Sequence, residues 1–208
     1  MLDVSAIVLC GGLGTRLRPV IRNLPKCLAP VNGRPFLFYI LDQLVAAKVK
    51  RIVLAVNYLG EMISNTVGTE YKGVPISYSY DKIENGGTGH AARMAVEYVD
   101  TEDVLIMNGD TYIATPIVNF LNFQRCDRAL NNVFINMGWI KNMGVYLTTM
   151  NTILECLPTN KPYRLEESFM IDAYKYGMSV GYIHCPFLDI GTPESYAQAS
   201  EFMREFAR

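Results

Sequence analysis

The sequence predicts an α/β fold organised around a mostly parallel sheet, and three features carry that prediction. Short apolar runs such as Val4–Leu9 and Arg51–Val56 lack the alternation of a half-exposed strand and read as strands buried on both faces. Segments with helical spacing of apolar residues lie between such runs, as right-handed crossovers require. The first run ends in a glycine-dense turn, Cys10-Gly11-Gly12-Leu13-Gly14-Thr15-Arg16-Leu17-Arg18-Pro19, at what becomes the carboxyl edge of the sheet, where open α/β proteins hold ligands.

With 208 residues, half of them apolar, the chain is sized for one domain with a substantial core. A formal net charge of −1 and the lack of a long charge run leave no nucleic-acid footprint, so an anionic ligand must be met by local charge. Cys10, Cys27, Cys126, Cys156 and Cys185 are scattered and form no Cys-x-x-Cys pair. That usage suits buried thiols in a reducing cytoplasm better than disulfides or zinc. The amino-terminal apolar run is too short for a secretion signal, and Pro35–Leu41, the other greasy stretch, cannot span a bilayer. The expectation is a soluble cytoplasmic protein with neither a membrane nor a nucleic acid as partner.

In the glycine turn, three glycines in four positions let the backbone leave the strand tightly and aim N–H groups at an anion, while Arg16 and Arg18 add positive charge. Two familiar phosphate loops do not match. The pattern Gly-x-x-x-x-Gly-Lys-Ser/Thr is absent, and a Gly-x-Gly-x-x-Gly fingerprint needs glycine where Leu17 stands.

A proline-rich, ordered loop follows over residues 23–35, with Lys26 set between prolines that fix the backbone. Pro35 sits where the first turn of a helix begins, and Leu37, Leu41, Leu44 and Val45 give residues 35–48 an amphipathic face. A strand (51–56), a helix (59–67) and a strand (74–80) come next. Glycine, threonine and small residues then lead into a helix over 88–98, where His90 is assigned to packing or to a rim. The strand from Val104 ends in Gly109-Asp110, which places an aspartate at the carboxyl end of a central strand, suited to hold Mg²⁺ that already touches phosphate oxygens. Residues 117–126 read as helix, 131–140 and 142–147 as strands, 165–176 as helix and 178–184 as the last main strand. In the final helix Thr192 is the cap, Pro193 fits the first turn and Glu194 suits the dipole. Tyr196, Ala199, Met203 and Phe206 form its apolar stripe.

Three stretches together resemble the sugar-1-phosphate nucleotidyltransferases, also called nucleoside-diphosphate-sugar pyrophosphorylases. They are Gly11-Gly12-x-Gly14-Thr15-Arg16-Leu17-x-Pro19, Pro25-Lys26 with Pro30-Val31-x-Gly33-x-Pro35, and Asp189-x-Gly191-Thr192-Pro193-Glu194-x-Tyr196. The nearest look is to the compact bacterial heptose-1-phosphate and mannose-1-phosphate guanylyltransferases. The resemblance implies a single-domain, Rossmann-like nucleotidyltransferase fold across residues 1–208, with helices on both faces of the sheet. It implies nucleotide contacts from Leu9, Gly11, Gly12, Gly14, Thr15, Gly87, Thr88 and Asp110, and catalytic, phosphate-binding roles for Arg16 and Lys26. Asp110 and Asp189 are then the carboxylates that hold Mg²⁺.

Residues 81–92 are similar to the family motif Glu-Pro-Leu-Gly-Thr-Ala-Gly-Ala, which wraps the nucleobase, with one residue inserted. A carboxylate offers only acceptors, so Asp81 or Glu84 suits the donors at guanine N1 and N2 or at cytosine N4. Asn142-Met143-Gly144-Val145-Tyr146 is similar to a strand beside the sugar, which assigns Asn142 and Gly144 to the sugar phosphate. Glu166 resembles an acidic position near the sugar hydroxyls. The chain departs from the family around 128–141. Only 31 residues separate Asp110 from Asn142, and the Glu-Lys-Pro motif, whose lysine grips the sugar phosphate, is missing. Lys141 is the candidate replacement.

The implied reaction joins an NTP, GTP by preference, to a sugar 1-phosphate and releases pyrophosphate, giving a nucleotide sugar for cell-surface polysaccharide. The phosphate nucleophile is already anionic, so catalysis reduces to positioning and charge neutralisation. Two alternatives stay open: a cytidylyltransferase acting on a small phosphorylated acceptor, and a nucleotide-binding regulatory homologue with weak turnover, which the shortened middle allows. The oligomeric state is open, with a homo-oligomer among the allowed states.

Overall fold

The computed structural model describes residues 3–81, 86–127, 131–136, 141–166 and 178–207. In chain order the strands are β1 (Val4–Leu9), β2 (Pro30–Val31), β3 (Arg34–Pro35), β4 (Ile52–Val56), β5 (Glu70–Tyr71), β6 (Val74–Tyr80), β7 (Asp103–Asn108), β8 (Thr111–Ile113), β9 (Asn131–Asn136), β10 (Lys141–Thr149), β11 (Met178–Ile183) and β12 (Phe187–Asp189). The helices are α1 (Leu37–Ala46), α2 (Gly60–Val67), α3 (Gly87–Ala95), α4 (Val118–Asp127), α5 (Met150–Cys156) and α6 (Pro193–Phe206).

The main sheet runs in the order β11-β9-β10-β7-β1-β4-β6-β5. β1 lies parallel to both β7 and β4, and β4 parallel to β6, while β10 and β5 run against their neighbours. The sheet is therefore mostly parallel, with β1 at its centre. Alternation along β1 feeds two cores: Val4, Ala6 and Val8 face one layer and Ile7 the other. Helices cover both faces. Leu37, Ile40, Leu41 and Leu44 of α1 and Ala199 and Met203 of α6 pack on the first, and Ala92 and Ala95 of α3 with Ile153 of α5 on the second. Burying one such leucine or isoleucine contributes roughly 1.5–3 kcal/mol, which is why these unbroken apolar runs hold the centre.

The carboxyl-terminal helix forms as its sequence demands. The Thr192 side chain accepts from Ser195 N at 3.2 Å and Ser195 Oγ accepts from Thr192 N at 3.2 Å, a reciprocal capping box. Pro35 corrects an expectation. It lies not in the first turn of α1 but in β3, opposite Pro30. Asn32 and Gly33, at φ 50° and 77°, form an Asn-Gly hairpin turn between β2 and β3, and that local signal outweighs the preference of proline for a helix start. Two further elements, β8 and β12, pair as a separate two-stranded sheet that the sequence reading did not contain. Of the expected elements, residues 137–140 and 167–176 lie outside the described residues.

Candidate active site

Cys10 N donates to Ala55 O at 2.8 Å and so carries the chain one step past β1 before the glycines begin. Gly14 takes φ 59°, and Leu17 N and Arg18 N both return to its carbonyl, at 2.9 and 3.1 Å. The buried Leu17 pins the turn to the core and leaves Thr15 and Arg16 exposed. Lys26 opens a short 3₁₀ turn whose next residues, Cys27 and Leu28, are buried anchors. A hydrogen bond with Cys27, together with burial, pushes the Cys10 thiol well up, so Cys10 packs as an inert thiol.

Asp110 and Asp189 are brought together by the small sheet. β12 pairs antiparallel with β8 so that Asp189 stands opposite Thr111, and Ile190 N donates to Asp110 O at 3.0 Å. Between the two carboxylates stands the Lys26 ammonium, which donates to Asp110 Oδ2 and lies 3.4 Å from Asp189 Oδ1. Gly109 and Gly191 allow this crowding. A Cβ on Gly109 would stand 2.6 Å from Cys10 Sγ and 2.9 Å from Leu9 O. One on Gly191 would stand 2.7 Å from Asp189 Oδ1, 2.8 Å from Lys26 Nζ and 3.3 Å from Arg16 Nη2. Arg16, Lys26 and Asp189 therefore converge on one point that only glycine leaves open.

The carboxylate pair fits Mg²⁺, which favours oxygen donors and usually takes one or two carboxylates together with substrate phosphates. The ammonium held between them shows that the pair draws a cation. Among the described residues no group of three or more His, Cys, Asp or Glu side chains is placed to cage a metal.

On the other wall, Gly86, Gly87, Thr88 and Gly89 pack against residues 159–166. Tyr163 N donates to Gly86 O and Gly89 N to Tyr163 O, both at 2.8 Å. Gly87, at φ 83°, has no room for a side chain, since a Cβ would lie 2.6 Å from Tyr163 O. Thr88 Oγ1 accepts from Leu165 N at 2.9 Å and donates to Glu166 Oε2 at 2.8 Å. Asp81 lines the cleft with its carboxylate almost fully covered, and Oδ1 lies 3.0 Å from His90 Nδ1 without the alignment of a hydrogen bond. His90 Nε2 lies 3.2 Å from Thr159 O. His90 is thus a packed core residue that also braces Asp81, while Glu84 lies outside the described residues.

These walls enclose a cleft of about 540 Å³ over the carboxyl ends of β1, β4 and β7. Of the residues expected at the site, it is lined by Leu9, Gly11, Gly12, Arg16, Lys26, Asp81, Gly87, Thr88, Asp110, Glu166 and Asp189. Gly14, Thr15, Asn142 and Gly144 are not among its lining, and of Lys141 the structure describes the backbone only. Asn142 instead serves its own strand. Nδ2 donates to Tyr146 OH at 2.8 Å, and Oδ1 accepts from Gly144 N at 2.8 Å. Gly144, at φ 67°, leaves its Cβ position to the side chain of Asn108. Burial raises the Tyr146 phenol pKa and the Glu166 charge raises it further, which sets β10 within electrostatic reach of the Glu166 wall. Sequence reasoning missed Asn57, Asn108 and Arg164, all of which line the cleft. Asn57 follows β4 and Asn108 ends β7, so the rule that ligands meet strand carboxyl ends could have found both. No local signal marks Arg164.

A doubly covered, mostly parallel sheet with a glycine turn, a braced lysine and two converging aspartates at its carboxyl edge defines a Rossmann-like α/β protein. More narrowly, the chain belongs to the nucleotidyl transferase family, whose model matches residues 5–143. It is 33% identical over 219 residues to the D-glycero-alpha-D-manno-heptose 1-phosphate guanylyltransferase of Campylobacter jejuni, covering 93% of this chain and 97% of that one. It is 29% identical over 231 residues to the enzyme of the same name from Aneurinibacillus thermoaerophilus, covering 98% and 100%. HddC from Yersinia pseudotuberculosis, solved alone and complexed with GMP-PN, shares the fold with a TM-score of 0.79 at 24% identity, over 96% of this chain and 99% of that one.

Proposed function

We propose that the protein transfers a guanylyl group from GTP to a sugar 1-phosphate of the heptose or mannose type, releasing pyrophosphate, in the cytoplasm and with Mg²⁺. The observation that carries this reading is the convergence of Arg16, Lys26, Asp110 and Asp189 on one point beside the glycine turn. Near full-length likeness to two heptose 1-phosphate guanylyltransferases supports the choice of donor and acceptor. Buried free thiols at Cys10, Cys27 and Cys185 support a reducing compartment.

In this reaction a phosphate oxygen of the sugar 1-phosphate attacks the α-phosphorus of GTP, and the bond from that phosphorus to the β-phosphate oxygen breaks. The electron pair leaves with pyrophosphate. No proton need move at the nucleophile, which is anionic at neutral pH. Arg16 and the amides of the glycine turn hold the β- and γ-phosphates, and Lys26 offsets charge on the phosphates it reaches. Asp110 and Asp189 would hold Mg²⁺, which when bound would neutralise phosphate charge at the reacting centre. Asp81, braced by His90, presents acceptors to the guanine N1–H and N2–H donors. The α3 wall seats the base and Glu166 accepts from sugar hydroxyls.

The test is a panel of four NTPs against several sugar 1-phosphates, read as pyrophosphate release with and without Mg²⁺. Release with GTP and a heptose or mannose 1-phosphate that stops on chelation is expected. A preference for CTP, or binding of nucleotide with no turnover on any pair, would overturn the reading.

A further inference from the structure

The seat between Asp110 and Asp189 is built without help from Lys26. Thr111 Oγ1 donates to Asp110 Oδ1 at 3.2 Å, and Gly191 N donates to Asp189 Oδ1 at 2.6 Å. The backbones beneath them are joined by the pairing of β8 with β12 and by Ile190 N on Asp110 O. Each carboxylate is therefore held by its own neighbours, and both stay part exposed on the cleft.

Lys26 is anchored differently. The buried Cys27 and Leu28 fix its backbone, and its Cβ lies 3.4 Å from where a Cβ on Gly14 would stand. Beyond that point a flexible four-carbon stem carries the ammonium across to both aspartates. The carboxylates are the fixed members of the cluster, and the ammonium is the movable one.

A fixed pair of carboxylates and a movable cation set up a competition. A divalent cation needs the oxygens that the ammonium engages, and it repels a positive charge beside it. Phosphate oxygens give the ammonium another anionic partner. Nucleotide phosphates entering beside Arg16 and the glycine turn therefore draw Lys26 off the carboxylates and leave them to the metal.

We propose that Lys26 gates the metal seat: its ammonium closes the Asp110–Asp189 pair to a divalent cation until nucleotide phosphates draw it away. Metal and nucleotide then bind as a coupled pair, each raising the affinity of the other. A free metal ion does not settle in the cleft ahead of the nucleotide. The inference rests on the transfer reading above for the nucleotide and the metal, and it gives Lys26 a task besides offsetting phosphate charge.

The test uses Mn²⁺, which suits the same carboxylate oxygens as Mg²⁺, with binding followed by electron paramagnetic resonance on the full chain without nucleotide. Lys26→Met and Lys26→Gln each remove the charge, and either one suffices once its melting curve shows that it folds. Both are expected to bind Mn²⁺ about ten- to hundredfold tighter than wild type, the range of one charge-assisted contact taken out of competition. Arg16→Gln is the control. It removes an exposed, solvent-screened charge nearby and leaves the ammonium in place, so affinity should rise by less than about threefold. Adding Asp110→Asn to Lys26→Gln should abolish the gain, which locates the ion at the carboxylates.

The proposal is overturned if the neutral Lys26 variants bind Mn²⁺ no more tightly than Arg16→Gln does, or if the gain survives Asp110→Asn. Tight Mn²⁺ binding by the Lys26 variants, with no pyrophosphate release by wild type on any substrate pair, keeps the gate and overturns the transfer reading. Mg²⁺-dependent release by wild type, with no gain in the Lys26 variants, keeps the transfer reading and overturns the gate.

Discussion

At the amino edge of the sheet, Arg51 Nε donates to Asp100 Oδ2 at 2.9 Å, Ser5 Oγ donates to Asp100 Oδ1 at 3.0 Å, and Ser5 N donates to Thr101 Oγ1 at 2.8 Å. At the carboxyl edge of the same strands, Lys26 is shared by two aspartates, Arg16 points at that cluster, and Asp81 leans on a buried histidine. Both edges use ordinary polar and charged residues at strand ends. At the amino edge one carboxylate has one arginine, and the groups close on one another within the fold. At the carboxyl edge two carboxylates share one ammonium and face an open cleft, an arrangement that costs stability and makes sense only with a ligand to complete it.

The largest expected effect breaks the carboxyl-edge cluster. Asp110→Asn keeps the shape and removes the charge, so pyrophosphate release should fall by about 10²–10³-fold, as when one charge-stabilising group is lost from an active site. The melting temperature should hold or rise, because like charges are relieved. A parallel loss of stability would show that the cluster is structural after all. Gly191→Ala comes next. The three atoms nearest the added methyl are all side-chain ends, Asp189 Oδ1, Lys26 Nζ and Arg16 Nη2. The fold should therefore absorb it, while turnover drops by about 10- to 100-fold from displaced groups.

How much of this difference the sequence discloses depends on whether the residues are contiguous. The glycine turn, Lys26 between its prolines, and Asp189 ahead of a capped helix are each contained in a few positions, and the structure brings all three into the cleft with Asp110. The device that unites Asp110 with Asp189 is the pairing of β8 with β12, two three-residue strands too short to show periodicity. Arg164 gains its place only because its neighbours Tyr163 and Leu165 bond to a glycine segment more than seventy positions earlier. His90 bracing Asp81 is likewise a fact of packing, and no spacing rule predicts it. Pro35 fails for a different reason: two local signals compete there, and the Asn-Gly turn wins.

A third substitution sharpens the contrast from the amino edge. Thr101→Val removes the acceptor of Ser5 N, a buried donor with no route to water. Leaving it unpaired should cost about 1–3 kcal/mol in chemical denaturation. Pyrophosphate release by the folded fraction should stay at the wild-type level, because the site lies at the far end of the strands. Reduced turnover per folded molecule would mean that the two edges are coupled through β1.

The smallest effect separates the edges by pH. Partial burial, the largest single influence, works to raise the Asp100 pKa, yet the hydrogen bonds from Arg51 and Ser5 outweigh it and hold the carboxyl below its ordinary value of 3.8. A depressed folded-state value means that the unfolded chain takes up the proton first. The stabilisation from Asp100 is therefore fully present above the ordinary value and is lost as pH falls through the lower, folded one. About half of the side chain is exposed, so solvent and salt screen the contribution to under about 1 kcal/mol. In urea titrations between pH 6 and pH 3, Asp100→Asn should flatten part of the acid-side decline in stability, and the difference from wild type should shrink in high salt. The same variant should leave pyrophosphate release at neutral pH unchanged. Wild-type and variant curves that fall in parallel would place the acid sensitivity elsewhere and remove Asp100 from the set of groups that stabilise the amino edge.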